Sequence, residues 1–222
     1  MRRAFVANGG MRDGKTTDLL LPFVKGMEDA GCEVDLCYIK QVRIKPCIGD
    51  FRCWYKTPGK CHIKDEMQEL YDRVSEADVL VLASPVYAPI PGEMQNFINR
   101  LVPLIDPILR SKDGRTMART REGVRWKNIA VVSTCGWWGL ENFDSFVKIA
   151  RDLAFKTGVG FAGSVLRPHS FVLNTMEQKR NEIHEAARKA GSELVIEGKI
   201  SEGSGDIIAQ PLVTEEELRL MY

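Results

Sequence analysis

No stretch of this 222-residue chain reaches the run of about 18 apolar residues that a membrane-spanning helix needs, and Met1-Arg2-Arg3 leads straight into a strand rather than a signal-peptide core. The expectation is a cytoplasmic protein with no membrane partner. An excess of either charge is also missing: 31 basic residues face 30 acidic ones, which removes the bulk electrostatic case for nucleic acid or an anionic lipid surface. Repeats and low-complexity tracts are absent. The six cysteines are few for a disulfide scaffold of this length. Clustered cysteines in a reducing compartment point instead to metal binding, catalysis or burial. What the chain does have is 44% apolar residues, enough for a substantial core, and its length suits one domain over residues 1–222 with a polar C-terminal tail from about 199.

Strand and helix signals alternate from the start. Residues 4–7 form a short apolar strand, and Leu20, Phe23, Val24 and Met27 mark a helix that ends near Gly31. Pro22 within it should kink that helix or shift its start. Residues 33–39 alternate as a second strand. An irregular segment over 40–64 precedes a helix carrying Met67, Leu70, Tyr71 and Val74 on one face. Residues 77–100 are the organising stretch. Val79 to Ala83 is a continuous apolar run, suited to a parallel strand covered on both faces, and Met94, Phe97, Ile98 and Leu101 mark the following helix. Between them lies a loop rich in proline, at the carboxyl end of a central strand, where open α/β sheets bind ligands. Residues 104–127 read as a long, basic, mostly structureless loop. A fourth strand over 129–133, a helix over 143–154 and a fifth strand over 161–166 follow. Asn174 with Glu177 signals the start of a last helix through Ile183, Ala186, Ala187 and Ala190. Five strands, each followed by a helix, predict an α/β, doubly wound parallel sheet in the order 2-1-3-4-5, with the loops after strands one, three and four converging at one rim.

The first of those loops, from Gly9 to Thr16, satisfies G-x-x-x-x-G-K-T, a nucleoside triphosphate signature. A glycine-rich turn at a helix N-terminus offers N–H groups and a positive dipole end to any phosphate, that of a flavin mononucleotide included. Neither 79–83 nor 129–133 ends in an aspartate that could hold magnesium, which weighs against triphosphate chemistry and a phosphotransferase. Trp137, Trp138 and Tyr87 are candidates to border a flat ring or to fill core or interface. Cys135 reads as a small buried residue rather than a nucleophile.

Three segments together, Asn8 to Thr17, PCIGDFRCWYKTPGKCHIKDEM over 46–67, and SPVY with PGEMQNFINR over 84–100, resemble the NAD(P)H-dependent FMN reductase and iron-sulfur flavoprotein families. STCGWW over 133–138 adds a fourth. The resemblance implies a flavodoxin-like fold and an FMN-dependent oxidoreductase with NAD(P)H as co-substrate, delivering electrons to a small molecule or redox protein. A flavodoxin-type electron carrier is the alternative. It implies that Gly9, Gly10, Arg12, Gly14, Lys15 and Thr16 hold the FMN phosphate. Pro85, Val86, Tyr87 and Ala88 would meet the ribityl chain and ring edge, and Thr134, Cys135, Gly136 and Trp137 the other side of the ring. The shallow rim and the aromatics Trp54 and Tyr55 predict a homo-oligomer, dimer or tetramer.

Cys47, Cys53 and Cys61 fall where iron-sulfur flavoproteins place cluster ligands, but Asp50 stands at the second ligand position. Three thiolates and a carboxylate could hold a cluster less well than four thiolates. A zinc site using His62 suffers from adjacent ligands at Cys61 and His62. The favoured expectation is no metal: a remnant loop with free thiols, whose Trp54 and Tyr55 pack against a partner subunit.

Overall fold

The computed structural model describes residues 1–221. Five strands form one all-parallel sheet: β1 (Arg2–Asn8), β2 (Cys32–Tyr38), β3 (Val79–Pro85), β6 (Asn128–Thr134) and β7 (Gly160–Arg167), ordered β2-β1-β3-β6-β7. This is the expected flavodoxin-like order, with the numbers displaced because a hairpin intervenes. The continuous apolar runs are explained by burial on both faces. Leu80 and Leu82 enter one core cluster, whereas Val79, Val81 and Ala83 enter the other. Phe5 and Ala7 oppose Ala4 and Val6 in the same way along β1.

One face is covered by α3 (Met67–Ser75), α4 (Gly92–Asn99) and α5 (Asp144–Thr157), together with Trp126. The other is covered by α1 (Lys15–Asp29), α6 (Glu177–Ile196) and α7 (Glu202–Ala209). Helices α1 and α6 cross at two glycines: a Cβ built on Gly26 would lie 1.8 Å from the Arg188 carbonyl oxygen, and one on Gly191 would lie 1.9 Å from that of Phe23. Helix α1 runs on through Pro22, and the chain leaves it through Gly31 at φ +80°, as a terminating glycine should.

Three expectations need correction. Residues 104–127 are not structureless: β4 (Ile105–Lys112) and β5 (Arg115–Thr120) pair as an antiparallel hairpin. Its turn is Asp113-Gly114, both at positive φ, and it docks on α5 by setting the Arg115 guanidinium 3.9 Å from the Phe155 ring centroid. The tail after 199 folds as α7 and α8 (Glu215–Leu220), the first capped by Ser201 and the second by a Thr214–Glu217 capping box. Asn174 does not cap α6; it lies in a 3-10 turn, and the helix begins after Met176 without a side-chain cap. The segment over 40–64 is largely irregular, as expected, with a short helix α2 (Arg52–Tyr55) inside it. No helix among the described residues is long and apolar enough to cross a membrane.

Candidate functional site

The carboxyl ends of β1, β3 and β6 surround a cavity of about 520 Å³, within the range of small-molecule sites. Gly10, Gly14, Lys15 and Thr16 line it from the first loop, Pro85, Val86 and Tyr87 from the second, and Thr134, Cys135, Gly136 and Trp137 from the third. Eleven of the fourteen residues named from the sequence thus meet at one place. Gly9 instead packs beneath the loop, where an added Cβ would lie 3.1 Å from Met94. Arg12 turns away, its guanidinium donating to Gln41 at 2.9 Å and resting 4.6 Å from the Tyr38 ring centroid. Ala88 is not on the wall. Met11 and Ser170 are, and were not expected there. Ser170 follows the fifth strand's carboxyl end, so rim position was the signal for it.

Asn8 organises the first loop, accepting the Gly10 N–H at 2.8 Å and donating to Thr17 Oγ1 at 2.8 Å. Gly14, the residue before α1, supplies no side-chain cap. The N–H groups of Lys15, Thr16 and Thr17 therefore lack intrahelical partners, and Lys15 and Thr16 line the cavity at the positive end of the helix dipole. Lys15 Nζ donates to Asn174 Oδ1, a neutral partner, so its charge is not cancelled by a carboxylate. Thr16 Oγ1 and Thr134 Oγ1, 2.7 Å apart and buried, tie the first loop to the third.

The third loop is oriented by the segment after β7. Cys135 N–H donates to the Arg167 carbonyl at 3.2 Å, while Ser170 N–H and His169 N–H donate to the carbonyls of Cys135 and Trp137 at 3.0 and 2.8 Å. With the carbonyls occupied, the Gly136 N–H is left without a backbone partner, whereas the Trp137 N–H is directed at the Cys135 sulfur. Thr134 sits in the sheet and the Cys135 N–H is already bonded, so neither offers a backbone donor to the cavity. Burial pushes the Cys135 thiol up, which agrees with a packing role. Tyr87 and Trp137 are each 63% exposed at the mouth.

The cysteine loop forms a separate cavity of about 270 Å³, lined by Cys47, Asp50, Cys53, Cys61, His62 and Arg100 among others. Its ends are pinned by Arg100, 1% exposed, which grips Asp65 at 2.6 and 3.0 Å and donates to the Lys45 carbonyl at 2.9 Å. Asp50 is occupied by Arg52, 3.2 Å from both its N–H and Nε, and lies 3.6 Å from His62 Nε2. Burial, then the neighbouring Cys61 and Cys47, push the Cys53 thiol up. Among the described residues no group of three or more His, Cys, Asp or Glu side chains is arranged to hold a metal ion. As placed, these residues do not fit an iron-sulfur cluster or a zinc ion. Trp54 is half-buried, donating to the Val102 carbonyl at 3.0 Å against Phe51, and Tyr55 beside it is exposed.

A family model described as NADPH-dependent FMN reductase matches residues 2–145, more than half of the chain. The chain belongs to that family. Among its relatives, an iron-sulfur flavoprotein of Archaeoglobus fulgidus is 33% identical over 116 residues, 51% of this chain and 52% of that protein. An iron-sulfur flavoprotein of Methanocaldococcus jannaschii is 32% identical over 108 residues, 48% of this chain and 55% of that one. The chain therefore spans about half the length of these curated relatives. Among solved structures, an NAD(P)H:quinone oxidoreductase from Methanothermobacter marburgensis superposes with a TM-score of 0.59 at 16% identity, over 87% of this chain and 96% of that one. An FMN-dependent NADH-azoreductase from Bacillus anthracis, in complex with FMN, gives a TM-score of 0.54 at 13% identity over 88% and 100%. These likenesses establish the shared fold of this FMN reductase family member.

Proposed function

We propose that this FMN reductase family member is an FMN-dependent oxidoreductase, passing reducing equivalents from NAD(P)H to a small-molecule or redox-protein acceptor. One observation carries the reading. The cavity has an uncapped helix start and an uncancelled lysine charge at one end, and the unused N–H of Gly136 on its third-loop wall. Such a site suits a ligand with a phosphate on one side and a hydrogen-bond acceptor on the other.

When bound, FMN supplies the hydride and electron chemistry itself, so the protein's task is to anchor, orient and shield it. The first turn of α1 and Lys15 hold the phosphate, and the Thr16–Thr134 bond fixes the spacing between the phosphate and ring ends. Pro85 to Tyr87 would form one wall, and the Gly136 N–H would be available to an acceptor atom of the ring. Tyr87 and Trp137 border the opening through which the nicotinamide and the acceptor reach the flavin.

The test is a calorimetric titration with FMN and riboflavin, which differ by the phosphate. Lys15→Ala should weaken FMN by about 1 to 2 kcal/mol while barely changing riboflavin, because a charge-assisted bond to phosphate is lost. Equal weakening of both would mean that the first loop does not hold a phosphate.

A further inference from the structure

Two arginines are almost wholly sequestered, and they are treated differently. Arg100 is neutralised by Asp65. Arg167, the last residue of β7, is 0% exposed, and every acceptor of its guanidinium is neutral: the carbonyls of Pro168 at 2.7 Å, Ile208 at 2.7 Å and Gln210 at 2.8 Å, and His169 Nε2 at 2.8 Å. No carboxylate pairs with it among the described residues. Burying an unpaired cation is expensive, and a chain that supplies a carboxylate for one buried arginine but not the other retains a net positive charge at the second.

His169 does not add a second charge. Its Nε2 faces two N–H donors, Arg167 Nη2 and the Leu212 N–H at 3.2 Å, so it is the accepting nitrogen. The proton then sits on Nδ1, 3.3 Å from the Trp138 carbonyl. Burial first, and the adjacent arginine second, push the imidazolium pKa down to about 4, so the ring is neutral at neutral pH. Burial also brings Arg167 down to about 10, which leaves it a cation there.

The position is informative as well. Arg167 pairs in register with Thr134 of the cavity wall, and its carbonyl holds the Cys135 N–H. The next residues, His169 and Ser170, occupy the carbonyls of the third loop. At Cys135, where burial raises the thiol, the Arg167 charge acts in the opposite sense, so its field reaches the cavity wall.

We infer that Arg167 is a positioning residue with an electrostatic function: its uncancelled buried charge, fixed behind the third loop by the C-terminal segment over 208–212, makes the site hold reduced FMN more tightly than oxidised FMN. This rests on the FMN reading. The charge balance gives the sense. Hydride from NAD(P)H brings two electrons and one proton to the oxidised ring and leaves NAD(P)⁺, so the ring gains one negative charge. A nearby fixed cation favours that product, and the low-dielectric interior does little to screen it.

The experiment measures oxidised-FMN affinity by calorimetry and the two-electron midpoint potential by reductive titration against reference dyes. Arg167→Gln and Arg167→Met both remove the charge, Met filling similar volume without unpaired donors should Gln not fold. Each should weaken reduced FMN at least tenfold more than oxidised FMN, a fall of about 30 mV or more. Arg167→Lys should keep most of the potential. Trp138→Phe removes the Trp138–Val213 bond, 2.9 Å in the native chain, and so loosens the C-terminal segment without touching the charge. It should leave the potential where it is. An unchanged potential in a neutral variant that still binds FMN overturns the inference, as does an equal fall in Trp138→Phe. Native protein that takes up no FMN overturns the FMN reading itself.

Discussion

Gly26→Ala should lower the melting temperature by roughly 4 to 12 °C. The new Cβ would sit 1.8 Å from the Arg188 carbonyl oxygen and 2.7 Å from its carbon, both backbone atoms of α6, so no side chain can swing aside. Helix α6 must move off α1, and the layer of Phe23, Met27, Ile183, Ala187 and Leu194 beneath the crossing loses its fit. Overpacking of this kind costs on the order of 3 kcal/mol, which for a chain of this size shifts melting by about 2 to 4 °C per kcal/mol. Alanine's better helix propensity returns about 1 kcal/mol at most and does not offset the clash. Gly191→Ala should behave alike, for the reciprocal reason at Phe23. Thermal unfolding followed by circular dichroism checks both, and a variant that melts with the native protein would show that the helices do not cross so closely.

Removing the partner of the other buried arginine should cost still more. In Asp65→Ala the Arg100 guanidinium keeps its place at 1% exposure with no opposing charge, a situation worth about 3 to 5 kcal/mol of lost stability. Denaturant unfolding reads this loss. Proteolysis within 45–65 should also accelerate, because the Lys45 N–H loses its 2.8 Å bond to Asp65. The effect has a pH signature. Burial alone would raise the Asp65 carboxyl, but the bonds from Arg100 and the Lys45 N–H outweigh it and hold it below the usual carboxylate range. A depressed folded-state pKa means that the contribution is complete above the unfolded value of about 3.9 and is lost as pH falls through the folded one. The gap between native protein and Asp65→Asn should therefore close in acid. A constant gap from neutral pH to below 3 would contradict the assignment.

Much of the sheet was readable because its strands are continuous apolar runs of strand length, and a run of that kind fits little besides a parallel strand covered on both faces. The hairpin over 105–120 escaped that logic. Its strands are mostly exposed, β4 contains Pro107, and its stability comes from pairs such as Arg119–Asp106 and from docking on α5. Asp113-Gly114 was nevertheless a legible turn signal. The C-terminal helices carried legible caps too, at Ser201 and at Thr214 with Glu217, although their short apolar faces have no clear period. In the candidate site, glycine spacing and rim position located the three loops, whereas the direction of a long side chain is set by its neighbours. Arg12 leaves the cavity because the Tyr38 ring and Gln41 lie on the other side. Asn174 shows the converse: its amide meets Lys15 across 159 positions of chain, a contact no local pattern encodes.

The most direct measurement is anaerobic reduction. Protein loaded with one equivalent of FMN is mixed with NADPH or NADH in the absence of oxygen, and the visible flavin band is followed against free FMN at the same concentration. The expected result is stoichiometric bleaching by at least one nucleotide, faster than that of free FMN, as a site that anchors the phosphate and opens the ring to a nicotinamide requires. A protein that takes up no FMN would contradict the account. So would bound flavin that dithionite bleaches and neither nucleotide does, which is the behaviour of an electron carrier.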